Sequence, residues 1–305
     1  MPSRFPSIRA WLQLFRAPNL LTVPGDPLAG YFLASFGAIE SGVWLAMAAS
    51  LCFYAGGLLL NDLADLREDH AERPHRPLPS GAASREAVIV VFVALCALGL
   101  WICSEIDRVT LLTGVALLAA IGSYNLFTKR IPVVGALNMG ACRSLSMLLG
   151  ATAVSHGNLT YRLIGAGRLD HVLIAVVLVG LYIAAVTNLA RFETRVHVPA
   201  VAKWLPVLPL VIGGILFLAQ LTPAYAFGAG ALLTLASIFA VQIASELTRQ
   251  PALPVPPQIG KLIRLILLVQ AAFCAVIGVE GALAASLLML LWPLARILGR
   301  WFYAS

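Results

Sequence analysis

Ten apolar runs of membrane-spanning length leave this chain few ways to fold. They fall at roughly 19–38, 43–60, 86–104, 109–127, 131–154, 171–190, 200–220, 224–244, 260–279 and 281–299. A helix rises about 1.5 Å per residue, so about 20 apolar residues cross a hydrocarbon core roughly 30 Å thick. The expectation is an all-α polytopic membrane bundle, with residues 1–305 forming a single integral membrane domain. Composition agrees: 60% of the 305 residues are hydrophobic and 11% charged, against about 25% charged in soluble domains. Met1 to Arg16 mixes Arg4, Arg9 and Arg16 with aromatic residues. This fits an interfacial amphipathic segment over 1–17 and no cleavable signal peptide. The joints at 127/131 and 279/281 are tight, so one hairpin is either two spans or a re-entrant pair.

A net charge of +7 could suggest a nucleic-acid partner, but the basic residues are interleaved with the apolar runs and sort by side. One side receives the N-terminus, the 61–85 loop, Lys129 and Arg130, Arg191 to Lys203, Arg249 to Arg264, Arg296 and Arg300, in all 17 Lys and Arg. The other receives 3, namely Arg108, Arg162 and Arg168, while Arg143 lies inside a span. The positive-inside rule therefore places both termini and the long basic loops in the cytoplasm, with the chain in the inner (cytoplasmic) membrane and no nucleic acid involved. Cys52, Cys96, Cys103, Cys142 and Cys274 are scattered through apolar segments without metal or disulfide spacing, and read as small core residues.

One polar stretch stands against this background, Leu58-Leu59-Leu60-Asn61-Asp62-Leu63-Ala64-Asp65-Leu66-Arg67-Glu68-Asp69. On a continuous helix Asn61, Asp65 and Asp69 recur at i, i+4 and i+8 on one face, with Asp62 beside them. Carboxylates gathered this closely repel unless a cation neutralises them, and an all-oxygen ligand set favours Mg²⁺, which is commonly shared with substrate phosphates. Arg67, Arg73 and Arg76 follow at once, the last two inside Arg73-Pro74-His75-Arg76-Pro77-Leu78-Pro79-Ser80-Gly81. A solvated helix end is the alternative reading of such a charge run. Elsewhere, Arg143 in mid-span costs about 2.5–3.5 kcal/mol on insertion scales and so marks function by default, with a structural ion pair to Asp26 as the alternative. The Pro24-Gly25-Asp26-Pro27 stretch either breaks the first span or starts its helix at Pro27 with Asp26 as N-cap.

The pattern Asn-Asp-x-x-Asp-x-x-x-Asp followed by Arg-x-x-Arg-Pro-x-Pro-Ser-Gly closely resembles the first aspartate-rich motif of the UbiA superfamily of intramembrane prenyltransferases. The family pattern has nine helices, so 281–299 reads as an extra C-terminal helix. The resemblance implies that Asp62, Asp65 and Asp69, with Asn61, hold Mg²⁺, and that Arg73 and Arg76 meet a diphosphate. It carries Asn19 over from Arg16-Ala17-Pro18-Asn19, which is similar to the opening of the family's first helix. It also carries over Tyr124 and Lys129 from the loop Tyr124-Asn125-Leu126-Phe127-Thr128-Lys129-Arg130, which lies over the diphosphate in UbiA-type chains. Without the resemblance, that tyrosine and those basic residues are ordinary interfacial anchors. The segment Asn138 to Gly150 resembles the fifth helix of an EboC-like branch, which adds Asn138 and Arg143 as substrate-binding candidates.

The second acidic motif of the superfamily, Asp-x-x-x-Asp at the end of helix six, is not reproduced. Thr187-Asn188-Leu189-Ala190-Arg191-Phe192-Glu193-Thr194-Arg195 offers one carboxylate. Asn188 and Glu193 would lie about 140° apart around a straight helix. Glu193 either joins a second metal with the substrate's own oxygens, Arg191 then assisting at the phosphate, or clasps Arg191 or Arg195. The reaction implied is Mg²⁺-assisted ionisation of an allylic prenyl diphosphate, followed by attack of a lipophilic or aromatic acceptor. Two other readings stay open: transfer of a sugar phosphate to polyprenyl phosphate, and a catalytically silent isoprenoid-binding membrane partner. The Asp-Gly-x-x-Ala-Arg signature of CDP-alcohol phosphatidyltransferases does not occur.

Overall fold

A computed structural model describes residues 8–35, 39–154, 169–193, 195, 197–276 and 278–301. Arg4, Arg162 and Arg168, and the two chain ends, lie outside the described residues, as do the side chains of Ala17, Pro18, Leu169, Ala224 and residues 298–301. The chain is a helical membrane bundle. A short interfacial helix α1 (Ile8–Leu14) leads into one turn of helix, α2 (Ala17–Leu20), and then into α3 (Gly25–Ser35). There follow α4 (Ser41–Ala64), α5 (Leu66–Glu72), α6 (Arg85–Ile106), α7 (Arg108–Leu126) and α8 (Val134–Thr152). The second half comprises α9 (Leu169–Ala190), α10 (Ala200–Trp204), α11 (Gly214–Leu218), α12 (Pro223–Arg249), α13 (Val255–Cys274) and α14 (Gly278–Trp301). A π-helical turn at Pro209–Gly213 joins α10 to α11. Among the described residues, eight helical stretches are long and apolar enough to cross a bilayer.

The two expected spans outside those eight are the informative ones. The first run is not one helix: Pro18, Pro24 and Pro27 each lack an N–H, and the backbone breaks between Leu20 and Gly25. Asp26 does not cap a helix starting at Pro27, because α3 already begins at Gly25. α3 is only 11 residues long and almost wholly buried, from Asp26 through Ser35 apart from Leu28. A helix that is apolar on every side belongs in a core, and α3 sits between α4, α8 and α13. The fifth run is α8, whose buried face includes Arg143 and Ser146 as well as apolar groups.

Lipid tails are as apolar as leucine, so helices in a bilayer associate through close backbone packing at small residues. The contact of α3 with α8 is of this kind. A Cβ on Gly30 would run into the Met147 carbonyl, and one on Gly150 into the Pro27 carbonyl. α8 meets α9 in the same way, where a Cβ on Gly140 would strike the Gly180 carbonyl. The outer helices carry the complementary pattern. Val90 and Trp101 on α6, Leu112 on α7 and Leu287 and Leu290 on α14 are exposed on the bundle's outer surface, where lipid takes the place of a core. Ser84 and Asp107 cap α6 and α7, accepting from the Ala87 and Thr110 amides at 3.2 and 2.6 Å.

Candidate active site

α4 runs straight from the bilayer into the acidic stretch and bends at its end. Asp65 caps α4 with φ −92° and ψ 2°, and α5 starts at Leu66. The i→i−4 bonding nonetheless carries through: the Asp65 amide donates to the Asn61 carbonyl at 3.0 Å and the Asp69 amide to the Asp65 carbonyl at 2.8 Å. Asp62, Asp65 and Asp69 therefore leave one kinked rod at successive turns. Asp62 and Asp69 are buried and Asp65 half-buried.

Each carboxylate is met by a cation from a different part of the chain. Asp69 receives Arg76 Nη1 on both oxygens, at 3.0 and 2.8 Å, with Arg73 3.8 Å away. The loop that delivers Arg76 is folded on itself by its prolines and by Gly81, whose φ of 74° suits glycine. Within it the Ser80 amide donates to the Arg76 carbonyl at 2.9 Å, and the Ala83 amide to the Pro77 carbonyl at 2.9 Å. Leu78 and Ala83 anchor the loop in a small core with Leu14, Leu59 and Val88. Asp65 pairs with Lys129, which stands in the 3₁₀ turn Thr128–Arg130 after α7. Asp62 pairs with Arg16 Nη2 at 3.3 Å.

Arg16 and Val133 are the non-glycine residues with positive φ among the described residues, at 44° and 66°. Such conformations cost on the order of 1–3 kcal/mol and persist where surrounding structure imposes them. Both flank a cation of the site: Arg16 is itself one, and Val133 ends the turn that presents Lys129. Asn138, in the first turns of α8, braces that turn. Its amide oxygen accepts from the Thr128 hydroxyl at 2.8 Å and its nitrogen donates to the Ala120 carbonyl at 3.2 Å. Tyr124 is half-buried one turn before the loop.

Arg143 lies elsewhere. Its Nε is 2.8 Å from Asp26 and its Nη2 donates to the Thr22 carbonyl at 3.1 Å. Gln270, from α13, donates to the same carbonyl at 2.9 Å and to Asp26 at 2.6 Å. Asp26 and Gln270 are fully enclosed. Of the two readings left open for Arg143, the side chain adopts the ion pair. Nearby, the Ser50 and Ser146 hydroxyls bond across α4 and α8 at 2.7 Å, and half-buried Tyr54 lies within electrostatic reach of Arg16, Arg143 and Asp26. Asn19 sits on α2 three residues after Arg16, its carbonyl accepting from the Thr22 hydroxyl at 2.9 Å.

Among the described residues, the second half offers no mirror of this arrangement. α9 ends at Ala190, so Glu193 falls in the turn beyond it and is exposed. Arg191 donates to Asn188 at 3.2 Å, and Arg195 lies over the Phe192 ring. Neither arginine pairs with Glu193 among the described residues. Asn188 is the polar residue lining an apolar groove of about 610 Å³ between α8, α9 and the 205–216 stretch.

The structure thus gathers Asp62, Asp65, Asp69, Arg73, Arg76 and Lys129, adds Arg16, commits Arg143 to a deeper pair and leaves Glu193 apart. No three His, Cys, Asp or Glu side chains converge on a common point among the described residues. The expected bare cluster of repelling carboxylates is therefore not what forms: four cations surround three carboxylates. The donor set nonetheless suits a hard divalent cation, being all oxygen, with Asn61 and Asp62 about one turn before Asp65. A surplus of cations over carboxylates also attracts an anion, and arginine forks match phosphate oxygens. Sequence reasoning passed over Arg16 as a site residue because its partner is 46 positions away. The available signal was a basic residue three positions before Asn19.

The profile of the UbiA prenyltransferase family matches residues 27–254. The digeranylgeranylglyceryl phosphate synthase of Saccharolobus solfataricus is 27% identical over 161 residues, which are 52% of this chain and 56% of that protein. The 4-hydroxybenzoate octaprenyltransferase of Citrobacter koseri is 35% identical over 137 residues, 44% of this chain and 43% of that protein. The matched stretches thus span about half the length of these curated relatives. A solved UbiA homologue from Archaeoglobus fulgidus, bound to GPP and Mg²⁺, superposes with a TM-score of 0.60 at 14% identity, covering 88% of this chain and all of that one. That likeness speaks for the fold.

Proposed function

Because this chain belongs to the UbiA prenyltransferase family, we propose that it is a Mg²⁺-dependent intramembrane prenyltransferase, moving an isoprenoid chain from an allylic prenyl diphosphate to a lipophilic or aromatic acceptor. The observation that carries this reading is the kinked end of α4, where Asp62, Asp65 and Asp69 each face a cation from a separate segment. Asn61, Asp62, Asp65 and Asp69 would hold Mg²⁺, which when bound supplies positive charge to the leaving diphosphate. Arg73, Arg76, Lys129 and Arg16, relieved of their carboxylates, then turn to the diphosphate oxygens. In this reading Asn19, Tyr124 and Arg191 would contribute to binding the diphosphate or the acceptor, with Asn138 holding the Lys129 turn.

In the reaction the allylic C–O bond breaks and its electron pair leaves with pyrophosphate. The cations stabilise that departing charge in a water-poor setting, where electrostatic stabilisation is strongest. The acceptor's nucleophilic atom then bonds to the allylic carbon and releases its proton. The protein is a multi-pass membrane protein, and the charge distribution supports a cytoplasmic placement for the site and both termini. Incubation of purified protein with Mg²⁺, labelled prenyl diphosphates of varied chain length and a lipid extract of its host tests the proposal: a prenylated product is expected. A second reading, isoprenoid binding without turnover, is favoured by Glu193 standing exposed and alone where the superfamily pattern has a second acidic pair. Saturable diphosphate binding with no product would select it.

A further inference from the structure

We infer that Asp26, Arg143 and Gln270 form a buried clamp that holds the break in the first span and thereby positions Arg16 against Asp62. In a continuous helix the Thr22 carbonyl would accept from the residue-26 amide; here the Asp26 amide turns to the Val23 carbonyl at 3.3 Å. The break therefore orphans the Thr22 oxygen inside the bundle, where no water is at hand to replace the lost helical hydrogen bond. Two donors from distant helices satisfy it, Arg143 Nη2 at 3.1 Å from α8 and Gln270 Nε2 at 2.9 Å from α13.

Asp26 completes the arrangement, accepting from Gln270 Nε2 at 2.6 Å and standing 2.8 Å from Arg143 Nε as its counter-ion. The backbone on Gly25 leaves no room for a Cβ against the Gln270 amide. An enclosed ion pair contributes little net stability once desolvation is counted, and a pair of well-packed apolar residues commonly does as well. Its value here is geometric, since it fixes the one non-helical stretch of the first span from two sides. From that stretch a short ladder runs back to Arg16: the Val23 amide donates to the Leu20 carbonyl, the Thr22 amide to Asn19 and the Asn19 amide to Arg16, at 3.1, 3.0 and 2.8 Å. Arg16 holds its left-handed conformation at the end of this ladder. These three are positioning residues: Arg143 and Gln270 are spent on the Thr22 carbonyl and on Asp26, and Asp26 on the two of them.

The inference rests on the diphosphate reading only for what the clamp serves, so two measurements separate them. Gln270→Met keeps volume and both charges while removing the donors. The pair Asp26→Asn with Arg143→Met removes the charges together. Backbone hydrogen exchange is read first, on full-length protein in lipid nanodiscs without substrate. In both variants, exchange at Asn19, Thr22 and Val23 should quicken about tenfold, with α12 unchanged. Unchanged exchange in both overturns the clamp. Turnover is read second: KM for the prenyl diphosphate should rise about tenfold, the equivalent of about 1.4 kcal/mol, with kcat nearly kept. That rise should vanish in an Arg16→Ala background, because the clamp acts through Arg16. A rise of the same size without Arg16 overturns the positioning role. If the native protein turns over no prenyl diphosphate, the functional reading fails while the exchange result still decides the clamp.

Discussion

Replacing Arg76 by Gln should cost the protein about 2 kcal/mol, and removing Asp69 as well should restore most of it. The Asp69 side chain is 4% exposed and Arg76 15%, and Arg76 Nη1 contacts both carboxylate oxygens. Breaking one side of such a pair leaves a buried charge without its counter-ion, a loss of roughly 3–5 kcal/mol for a fully enclosed pair. Two features reduce it, the first being that Arg76 keeps 15% of its side chain exposed, so that the pair is not fully enclosed. Arg73 stays 3.8 Å from Asp69, and at an effective dielectric of 20 two charges at that distance attract by about 4 kcal/mol before screening. Arg73 is 43% exposed, however, so solvent and salt leave only about 1 kcal/mol of that, as for other surface pairs. The net expectation for Arg76→Gln is about 2 kcal/mol. The assay is thermal unfolding in nanodiscs of wild type, Arg76→Gln, Asp69→Asn and the double variant, all without Mg²⁺ or diphosphate. A coupling energy of about 2 kcal/mol is expected from the cycle. Arg76→Lys should recover less than half of it, because an ammonium is more strongly hydrated than a guanidinium and loses more on being held in this enclosed site. A coupling near zero would refute the view that Asp69 is held by Arg76 in the ligand-free protein.

The other expectations concern chemistry, metal and topology. Asn in place of Asp62, Asp65 or Asp69 keeps shape but removes an anionic ligand, so turnover should fall by orders of magnitude while the protein still inserts; equal turnover in EDTA would exclude the metal. Because the cations already neutralise these carboxylates, Mg²⁺ alone should barely move the melting temperature, whereas Mg²⁺ with pyrophosphate should raise it by mass action; a large rise with Mg²⁺ alone contradicts the pairing. Glu193→Gln should leave thermal stability unchanged, as for any exposed group, and lower turnover only at limiting Mg²⁺; an unaltered Mg²⁺ titration removes Glu193 from the site. Gly150→Val should destabilise by about 1–3 kcal/mol through overpacking against the Pro27 carbonyl, read as a lowered melting temperature, and a neutral result would mean that α3 and α8 are not in backbone contact. In a cysteine-free background, single cysteines at Ser80 and Ser41 should label from opposite faces of the membrane; labelling of both from one face sinks the charge-based topology.

Local chemistry made much of this protein legible before any coordinates. Hydrocarbon solvates no backbone, so a run of about 20 apolar residues has one way to cross it, and the helices follow from the runs. The spacing of Asn61, Asp62, Asp65 and Asp69 is also local: successive turns of one rod carry them, and a bend at Asp65 does not separate them because the backbone bonding continues. The Arg73 to Gly81 loop is local as well, and its prolines and glycine return Arg76 to Asp69 within seven residues.

Only the tertiary structure decided what those carboxylates face. Lys129 reaches Asp65 across 64 positions and Arg16 reaches Asp62 across 46, distances at which no helical or turn periodicity operates. The same holds for Arg143. Its charge in mid-span demanded a partner, but the choice between Asp26 and a ligand depended on how closely Gly30 and Gly150 bring α3 to α8. Gln270, 244 positions from Asp26, carries no signal at all, since a glutamine in an apolar run becomes informative only when its neighbours are known. Periodicity and hydropathy are properties of contiguous residues. Pairing between segments is set by packing, and in a bilayer by which small residues let two backbones touch.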